Sequence, residues 1–366
     1  MDKVALTGAN GFLGWHVRAA LHEQGTTFAA FSVGDAFDRE SAIHAVDGAT
    51  RLIHIAGVNR GTDDEVREGN VRFAQQVAET ISGASKPPST IVFANSIQST
   101  NGSVYGAAKA AAATIVRKAA EVAGAEFEDV QLPNLFGEHG RPFYNAVTAT
   151  FCHMLAQGDR PVVQQDNELT LLHAQDAADL LTGYATSEVA GSLEVRETVT
   201  GLLRRLEGMA SLYAHGEIPD VSSRFDRDLF NTYRSHTFPR QAPVRLTRHA
   251  DSRGSFFEIV RSHGGCGQSS FSTTAPGISR GDHYHRRKIE RFTVLAGTAT
   301  IALRRLFTDE VHEFHVTGAE PVAVDMPTMW AHNIINTGPG VLYTSFWSNE
   351  IFSPESPDTI AETVRK

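Results

Sequence analysis

Cysteine is nearly missing. Cys152 and Cys266 are the two in 366 residues, and neither sits in a C-x-x-C or other paired motif. That excludes a disulfide framework and a cysteine-built zinc site, and it fits a reducing compartment. Apolar runs are short, none approaching the roughly 18 residues of a membrane helix. The opening Met1-Asp2-Lys3 leads straight into Val4-Ala5-Leu6, too brief for the apolar core of a secretory signal. Basic blocks are missing too: Arg204-Arg205 and Arg286-Arg287-Lys288 are short runs of the kind found on solvated faces, and the formal net charge is -9. These absences argue against nucleic acid and membrane as partners, and a soluble cytoplasmic protein is expected. There is no internal repeat and no low-complexity segment.

What the chain does have is enough apolar material, 41% of residues, to fill two cores of ordinary size. Up to about Gly183, short β-rich runs at 4–7, 27–31, 51–55, 90–94 and 130–132 alternate with stretches of helical composition. One of these, 104–122, is Ala-rich and carries Lys109, Arg117, Lys118 and Glu121. Such alternation predicts an α/β fold, a Rossmann-like doubly wound parallel sheet with crossover helices. Between Gly216 and Pro243 the composition turns to Pro, Ser, Arg and Asp, which sets an expected boundary: one domain over 1–243, another over 244–366. In the second, runs rich in Val, Thr, Phe and Ile recur at 244–247, 255–260, 268–273, 291–295, 298–303, 322–324 and 341–347. Regular strand spacing without long helices predicts an all-β jelly roll.

Gly8-Ala9-Asn10-Gly11-Phe12-Leu13-Gly14 joins the first strand to an amphipathic helix. Glycines at this spacing permit a tight turn at Gly8, close approach of backbone to a pyrophosphate at Gly11, and helix packing at Gly14. Further along, Tyr105 and Lys109 stand four apart on one helix face, so the Lys109 ammonium can favour the ionised Tyr105 phenol and make it a usable acid or base. Ser96, at the end of the preceding strand, offers a hydroxyl to a carbonyl or alcohol oxygen.

Together with His54-Ile-Ala-Gly57, Gly69-Asn70-Val71 and Pro133-Asn-Leu-Phe-Gly137, these pieces resemble an extended short-chain dehydrogenase/reductase. The resemblance implies catalysis by Ser96, Tyr105 and Lys109, with Asn70 supporting Lys109 through water. It implies cofactor contacts at Gly8, Asn10, Gly11, Phe12, Leu13, Gly14, Ala56, Gly57, Asn70, Tyr105, Lys109 and Pro133. The choice between NAD and NADP turns on the end of the second strand, where Phe31-Ser32-Val33-Gly34-Asp35 holds neither a clear acid nor an arginine.

Gly277-x5-His283-x-His285-x4-Glu290-x6-Gly297, followed by Pro327-x-Met329-x2-His332-x3-Asn336, is the more specific signal. Strand alternation puts His283 and His285 on one face, and Glu290 and His332 can complete a nitrogen/oxygen site from neighbouring strands. Three histidines and a carboxylate suit Zn, Fe, Mn or Ni. The pattern resembles the two motifs of the cupin superfamily, with Met329 in place of a turn glycine. Asp251-Ser-Arg-Gly-Ser-Phe-Phe-Glu258 resembles the opening strand of sugar-nucleotide epimerases of that superfamily, and reads equally well as a surface turn.

A ketone is the group that links the two chemistries. A carbonyl acidifies the neighbouring C–H, so a metal that polarises it permits epimerisation there, and reduction then fixes the new configuration. Taken whole, the chain resembles the CapF-like bifunctional UDP-2-acetamido-2,6-dideoxy-β-L-arabino-hexos-4-ulose reductases of capsule and O-antigen synthesis. Residues carrying this include Ile55-Ala-Gly-Val-Asn-Arg60, Ser96-Ile-Gln98, Tyr144-Asn145, Ala149-Thr-Phe-Cys152, Glu168-Leu-Thr-Leu171 and Asp228-Leu229. The family implies C3 epimerisation in the cupin domain, then reduction of the C4 ketone by NADPH ahead of NAD, toward UDP-N-acetyl-L-fucosamine. It also implies one zinc, a UDP-4-ketosugar substrate and a homodimer.

Asn95 departs from the family, standing where another serine is usual. Candidates for the epimerase base are Tyr284, Lys288, Tyr343 and a metal-bound hydroxide. Two other readings stay open: a single-function reductase with a structural or dimerising cupin, and a non-enzymatic sensor of the NADP redox state.

Overall fold

The structure, a computed structural model, describes residues 3–366 and divides into two compact units. The first comprises the chain up to 136 with 140–147 and 167–198; the second comprises 137–139, 148–166 and 199–366.

The first unit runs β1 (Lys3–Thr7), α1 (Phe12–Glu23), β2 (Thr27–Phe31), α2 (Arg39–Val46), β3 (Arg51–His54), α3 (Asp63–Gly83), β4 (Thr90–Ser96), α4 (Val104–Ala123) and β5 (Glu126–Leu132). All five strands are parallel, in the order β2-β1-β3-β4-β5. Alternate side chains leave opposite faces of a strand. Leu52, Ile91 and Phe93 therefore pack with α2, α3 and α4 on one side, while Leu6, Ile53 and Val92 pack with Val17 and Leu21 of α1 and Leu180 on the other. Burial on both faces gives the doubly wound arrangement that near-continuous apolar strands require. The chain turns to β2 on one side of β1 and to β3 on the other, and the crevice at such a switch point, beyond the carboxyl ends of β1 and β3, is where this class of sheet takes ligands. A smaller sheet of Asn134–Phe136, Glu168–His173 and Val195–Thr198 completes the unit.

In the second unit two five-stranded sheets, antiparallel throughout, share one core. One has the order 268–274, 342–348, 290–296, 322–326, 244–245; the other 311–317, 298–305, 330–336, 279–284, 360–361. Phe292, Val324 and Leu342 of the first interdigitate with Ile301, Leu303 and Ile334 of the second, which is jelly-roll packing.

Packing also places the helices Val199–Tyr213 and Arg224–Thr237 in this unit, ahead of the composition change at 243. A buried charge cluster explains why. Arg291 meets Asp325 through two bonds of 2.6 and 2.9 Å, Tyr213 Oη donates to the same carboxylate at 3.0 Å, and Arg291 reaches the Gly216 carbonyl at 2.8 Å. Position 243 marks the end of helical composition, whereas the compact unit begins earlier. Among the described residues, no helix is long and apolar enough to cross a membrane.

Arg291 is 1% exposed, so removing its partner leaves an uncompensated buried cation. Asp325→Ala should destabilise the second unit by about 3–5 kcal/mol. Chemical denaturation followed by circular dichroism checks this, and a shift below about 1 kcal/mol, the worth of a surface pair, would contradict it.

Candidate active site and metal centre

In the first unit a cavity of about 1250 Å³ lies at the carboxyl ends of the strands. Its walls include Gly8, Asn10, Gly11, Phe12, Leu13, Gly14, Ala56, Gly57, Ser96, Tyr105, Lys109 and Pro133, so the residues read as catalytic or cofactor-binding come together there, Asn70 excepted. Volumes of roughly 300–1,000 Å³ suffice for one small molecule, so there is room for a dinucleotide and a second ligand.

The glycine turn is fixed by sterics. Gly8 has φ +73°, and a Cβ on it would lie 2.9 Å from the Ala56 nitrogen; a Cβ on Gly14 would lie 2.0 Å from the Gly8 oxygen. Helix α1 begins at Gly11 with no side-chain cap and no acid in its first turn, whereas α2, α3 and α4 are capped by Asp38, Thr62 and Ser103. Uncapped N–H groups facing a cavity are an anion site. Thr7, at the end of β1, accepts from the Ile55 and Ala56 nitrogens at 3.1 and 3.3 Å and donates to His54 Nδ1 at 2.7 Å, tying the turn after β3 to the glycine turn. Burial, and then Lys109, bring His54 down to about 3, so it is a neutral acceptor.

Lys109 is buried, and its ammonium donates to the Ala94 carbonyl at 2.6 Å and lies 4.2 Å from the centre of the Phe93 ring. Burial lowers it to about 8, against a raising contribution from Asp129. Tyr105 behaves otherwise than the sequence argument expects: burial raises its phenol above the ordinary value, a larger effect than the neighbouring lysine. Asn70 stands behind the wall, its amide donating to the Val58 and Val66 carbonyls at 2.6 and 2.7 Å. A Cβ on Gly57 would come within 3.0 Å of Asn70 Oδ1 and 4.0 Å of Lys109 Nζ, so Asn70 and Lys109 flank the same glycine. Asn95 is committed elsewhere, donating to Asp129 at 2.8 Å and accepting from the Ser96 nitrogen at 2.9 Å, which steadies Ser96. Gly106 escaped sequence reading: a Cβ there would meet the Gln98 oxygen at 2.0 Å, so this glycine lets α4 seat Tyr105 against the 97–100 turn. Glycine within an Ala-rich helix was the available signal.

At the far end, Ser32, Asp38 and Ser41 line the cavity. Asp35 does not, and pairs outside with Arg72 at 2.8 Å; Arg39 pairs with Glu79 at 2.7 Å.

In the second unit His283, His285, Glu290 and His332 converge, one ligand atom from each lying within 4.8 Å of the others. Glu290 Oε2 is 3.1 Å from His285 Nε2 and 3.2 Å from His332 Nε2. The outer nitrogens are held by backbone: His285 Nδ1 donates to the Asp358 carbonyl, and His332 Nδ1 to that of Trp330 at 3.0 Å. With the protons on Nδ1, two Nε2 lone pairs face a carboxylate lone pair across a buried gap. That arrangement repels itself unless a cation sits within it, so the donor set fits a divalent metal. Burial and then the other two imidazoles bring His283 to about 3, which keeps it neutral as a ligand must be.

A bulge aims His283. Gly281 pairs with Asn333 and His283 with His332, leaving Asp282 as the extra residue at φ +59°. Met329, in the place of a turn glycine, has φ +63° and is fully buried, so the turn keeps its left-handed geometry at a strain of about 1–2 kcal/mol. Its nitrogen donates to the His285 carbonyl at 2.7 Å.

Asp358 gave no signal in the sequence. Its carboxylate accepts from the nitrogens of Arg286, Arg287 and Lys288 at 2.9, 3.0 and 2.8 Å, clamping the loop after His285 while its own carbonyl holds the ring. Among the base candidates, Tyr284 is fully buried and alternation turns it away from the histidine face. Lys288 Nζ is engaged by the Pro357 carbonyl at 2.8 Å. Tyr343 packs on Phe271, and lies about 17 Å along its strand from Ser348, the residue that pairs with Glu290. The 249–256 segment is a short exposed hairpin with Asp251 and Arg253 paired at 2.6 Å across its turn, matching the surface-turn reading.

Two family models match the chain: the NAD dependent epimerase/dehydratase family over residues 4–192, and the polysaccharide biosynthesis C-terminal domain over 249–360. A Pseudomonas aeruginosa protein, UDP-2-acetamido-2,6-beta-L-arabino-hexul-4-ose reductase, is 31% identical over 99% of both chains. The spore coat polysaccharide biosynthesis protein SpsL of Bacillus subtilis is 27% identical over 31% of this chain and 82% of its own. Among solved structures, the capsular polysaccharide assembling protein CapF from Staphylococcus aureus aligns with TM-score 0.63 and 31% identity, over 99% of this chain and 100% of that one.

Because the Asp358 carboxylate clamps the 286–288 loop and so positions its own carbonyl against His285, Asp358→Ala should weaken binding of a divalent metal, zinc as the probe, about 10–100-fold, with Asp358→Asn between it and wild type. Chelator competition on the folded proteins measures this, and unchanged zinc affinity would remove Asp358 from the metal centre.

Proposed function

Because this chain belongs to the NAD dependent epimerase/dehydratase family and is a full-length relative of the CapF-like UDP-ketosugar reductases, we propose that it is a bifunctional nucleotide-sugar enzyme of polysaccharide synthesis. Its second domain epimerises C3 beside the ketone of a UDP-2-acetamido-2,6-dideoxy-4-ketohexose. Its first domain then reduces the C4 ketone with NADPH, on the route to UDP-N-acetyl-L-fucosamine for capsule or O-antigen. The observation that carries the reading is the pairing, in one chain, of a cavity lined by both the glycine turn and Ser96, Tyr105 and Lys109 with a part-buried His3Glu cluster.

In the reduction, Ser96 Oγ and Tyr105 Oη hold the ketone oxygen. Tyr105 would give its proton to that oxygen as C=O becomes CH–OH, the hydride at the carbon being what a bound nicotinamide would supply. A phenol kept protonated by burial suits this direction. Lys109, with its ammonium fixed between the Ala94 carbonyl and Phe93, stabilises the phenolate left behind. NADPH ahead of NADH rests on the resemblance to the CapF-like reductases: Ser32 follows β2, Asp35 turns outward to Arg72, and Asp38 lines that end of the cavity.

When bound, zinc supplies a Lewis acid that polarises the ketone and stabilises charge on its oxygen. His283, His285, Glu290 and His332 would hold it, with His285 and His332 locked in their ligating tautomers by backbone carbonyls. The order is epimerise, then reduce, since reduction removes the carbonyl that acidifies C3. A cytoplasmic homodimer belongs to the same proposal. Two free cysteines accord with a reducing compartment, and the exposed Phe271 and Tyr343 on and beside the edge strand 268–274 accord with a covered face.

Tyr105→Phe should abolish NADPH oxidation, by at least about 100-fold, while solvent deuterium still enters at C3; His283→Ala should do the reverse. Steady-state absorbance and NMR of the substrate read the two activities. Loss of both with either change in folded protein would contradict separate sites, and no exchange at C3 in wild type would reduce the second domain to a structural module.

A further inference from the structure

The cavity of the first unit has two regions of unlike charge. Asp38 is the only carboxylate among its described lining residues, and it belongs to the loop after β2. Arg141, Tyr144 and Asn145 also line the cavity, from a loop that follows the strand Asn134–Phe136. The two walls come from separate loops, one after β2 and one fastened to the turn after β3 through Asn145 and Asn59. The uncapped start of α1 beside β1 takes the cofactor's pyrophosphate, and Ser96 and Tyr105 follow at β4 and α4. The cavity has space beside the cofactor for the molecule being reduced, and Arg141 is the one guanidinium among its described lining residues.

Arg141 has no carboxylate partner among the described residues. Its guanidinium lies 5.0 Å from the centre of the Tyr144 ring, and that of Arg60 lies 5.7 Å from the same ring. Arg60 does not neutralise anything either: it donates to the Phe143 carbonyl at 2.9 Å. Two guanidinium groups without carboxylate partners among the described residues share one aromatic ring in a chain of net charge -9, and Arg141 brings that charge to the cavity wall. The loop is held in place for this. Phe143 takes φ +57°, its carbonyl is tied to Arg60, and Asn145 donates to the Asn59 carbonyl at 2.8 Å, fastening the Arg141 loop to the turn that follows Gly57.

We propose that Arg141, on a Tyr144 platform backed by Arg60, is the subsite for the diphosphate of the nucleotide sugar, and that it makes the enzyme select diphosphate-linked sugars. A planar guanidinium meets phosphate oxygens through two parallel bonds, which fixes orientation as well as charge. The diphosphate would thereby anchor the substrate at one end while Ser96 and Tyr105 hold the ketone at the other. This inference rests on the nucleotide-sugar reading above.

The test is titration calorimetry of UDP, UMP and uridine into the full-length, NADP-loaded protein, for wild type, Arg141→Ala and Arg141→Lys. Expected is tighter binding of UDP than of uridine by wild type. In Arg141→Ala, UDP affinity falls about tenfold or more with uridine and NADP affinities unchanged, and Arg141→Lys recovers part of the loss. UDP affinity unaltered by Arg141→Ala overturns the proposal, and so does a loss confined to NADP, which would assign Arg141 to the cofactor. If wild type turns over no ketosugar yet discriminates UDP from uridine through Arg141, the proposed function fails and the diphosphate subsite stands.

Discussion

Lone pairs held out of water and aimed at one another are the interaction on which the second unit is built. His285 and His332 give their Nδ1 protons to carbonyls, which leaves Nε2 of each directed at the Glu290 carboxylate with no hydrogen between them. A core that kept such a cluster without a cation would hold a buried repulsion, and the surrounding structure is arranged to prevent its relaxation. The Asp282 bulge sets His283 opposite His332, the left-handed Met329 turn ties its nitrogen to the His285 carbonyl, and Asp358 gathers three backbone nitrogens of the following loop. Each of these devices carries strain or a charge that a purely structural jelly roll would not need.

The first unit follows a similar rule with different groups. Helix α1 starts without a cap where its neighbours have one, and the phenol of Tyr105 and the ammonium of Lys109 are taken out of water beside a large cavity. Away from the cavity, apolar side chains of alternating strands fill both faces of the sheet. The ligand completes what the chain leaves open, which is how binding energy comes to be spent on orientation.

Much of this was legible in the sequence because it follows from period and sterics. Strands β1 to β4 announce themselves by apolar runs, and the glycine turn, the Tyr105/Lys109 spacing and the His283/His285/Glu290/His332 spacing each follow from local geometry. Strand β5 was seen only at its end, since Glu126, Glu128 and Asp129 place charge on an edge. The strand 311–317 was not read, and 279–284 and 330–336 were reached only through their histidines, because ligand and other polar side chains interrupt the apolar alternation. Thr7 and Asp358 were missed for a different reason. Their roles come from contacts across long sequence separations, such as Asp358 with 286–288, and no local pattern encodes these. The expectation for Tyr105 reversed because pairing with Lys109 is visible in spacing, whereas burial is not.

One ketone used twice is the chemical idea joining the units: a metal-polarised carbonyl loosens the hydrogen beside it, and hydride addition then consumes that carbonyl. Its most direct test is a complete turnover of the 4-ketosugar by zinc-loaded wild type with NADPH in deuterium oxide, with the product analysed by NMR. The account predicts inverted configuration and a solvent deuteron at C3 in essentially every product molecule, with hydrogen from the cofactor at C4. Product carrying hydrogen at C3 with unchanged configuration would contradict it.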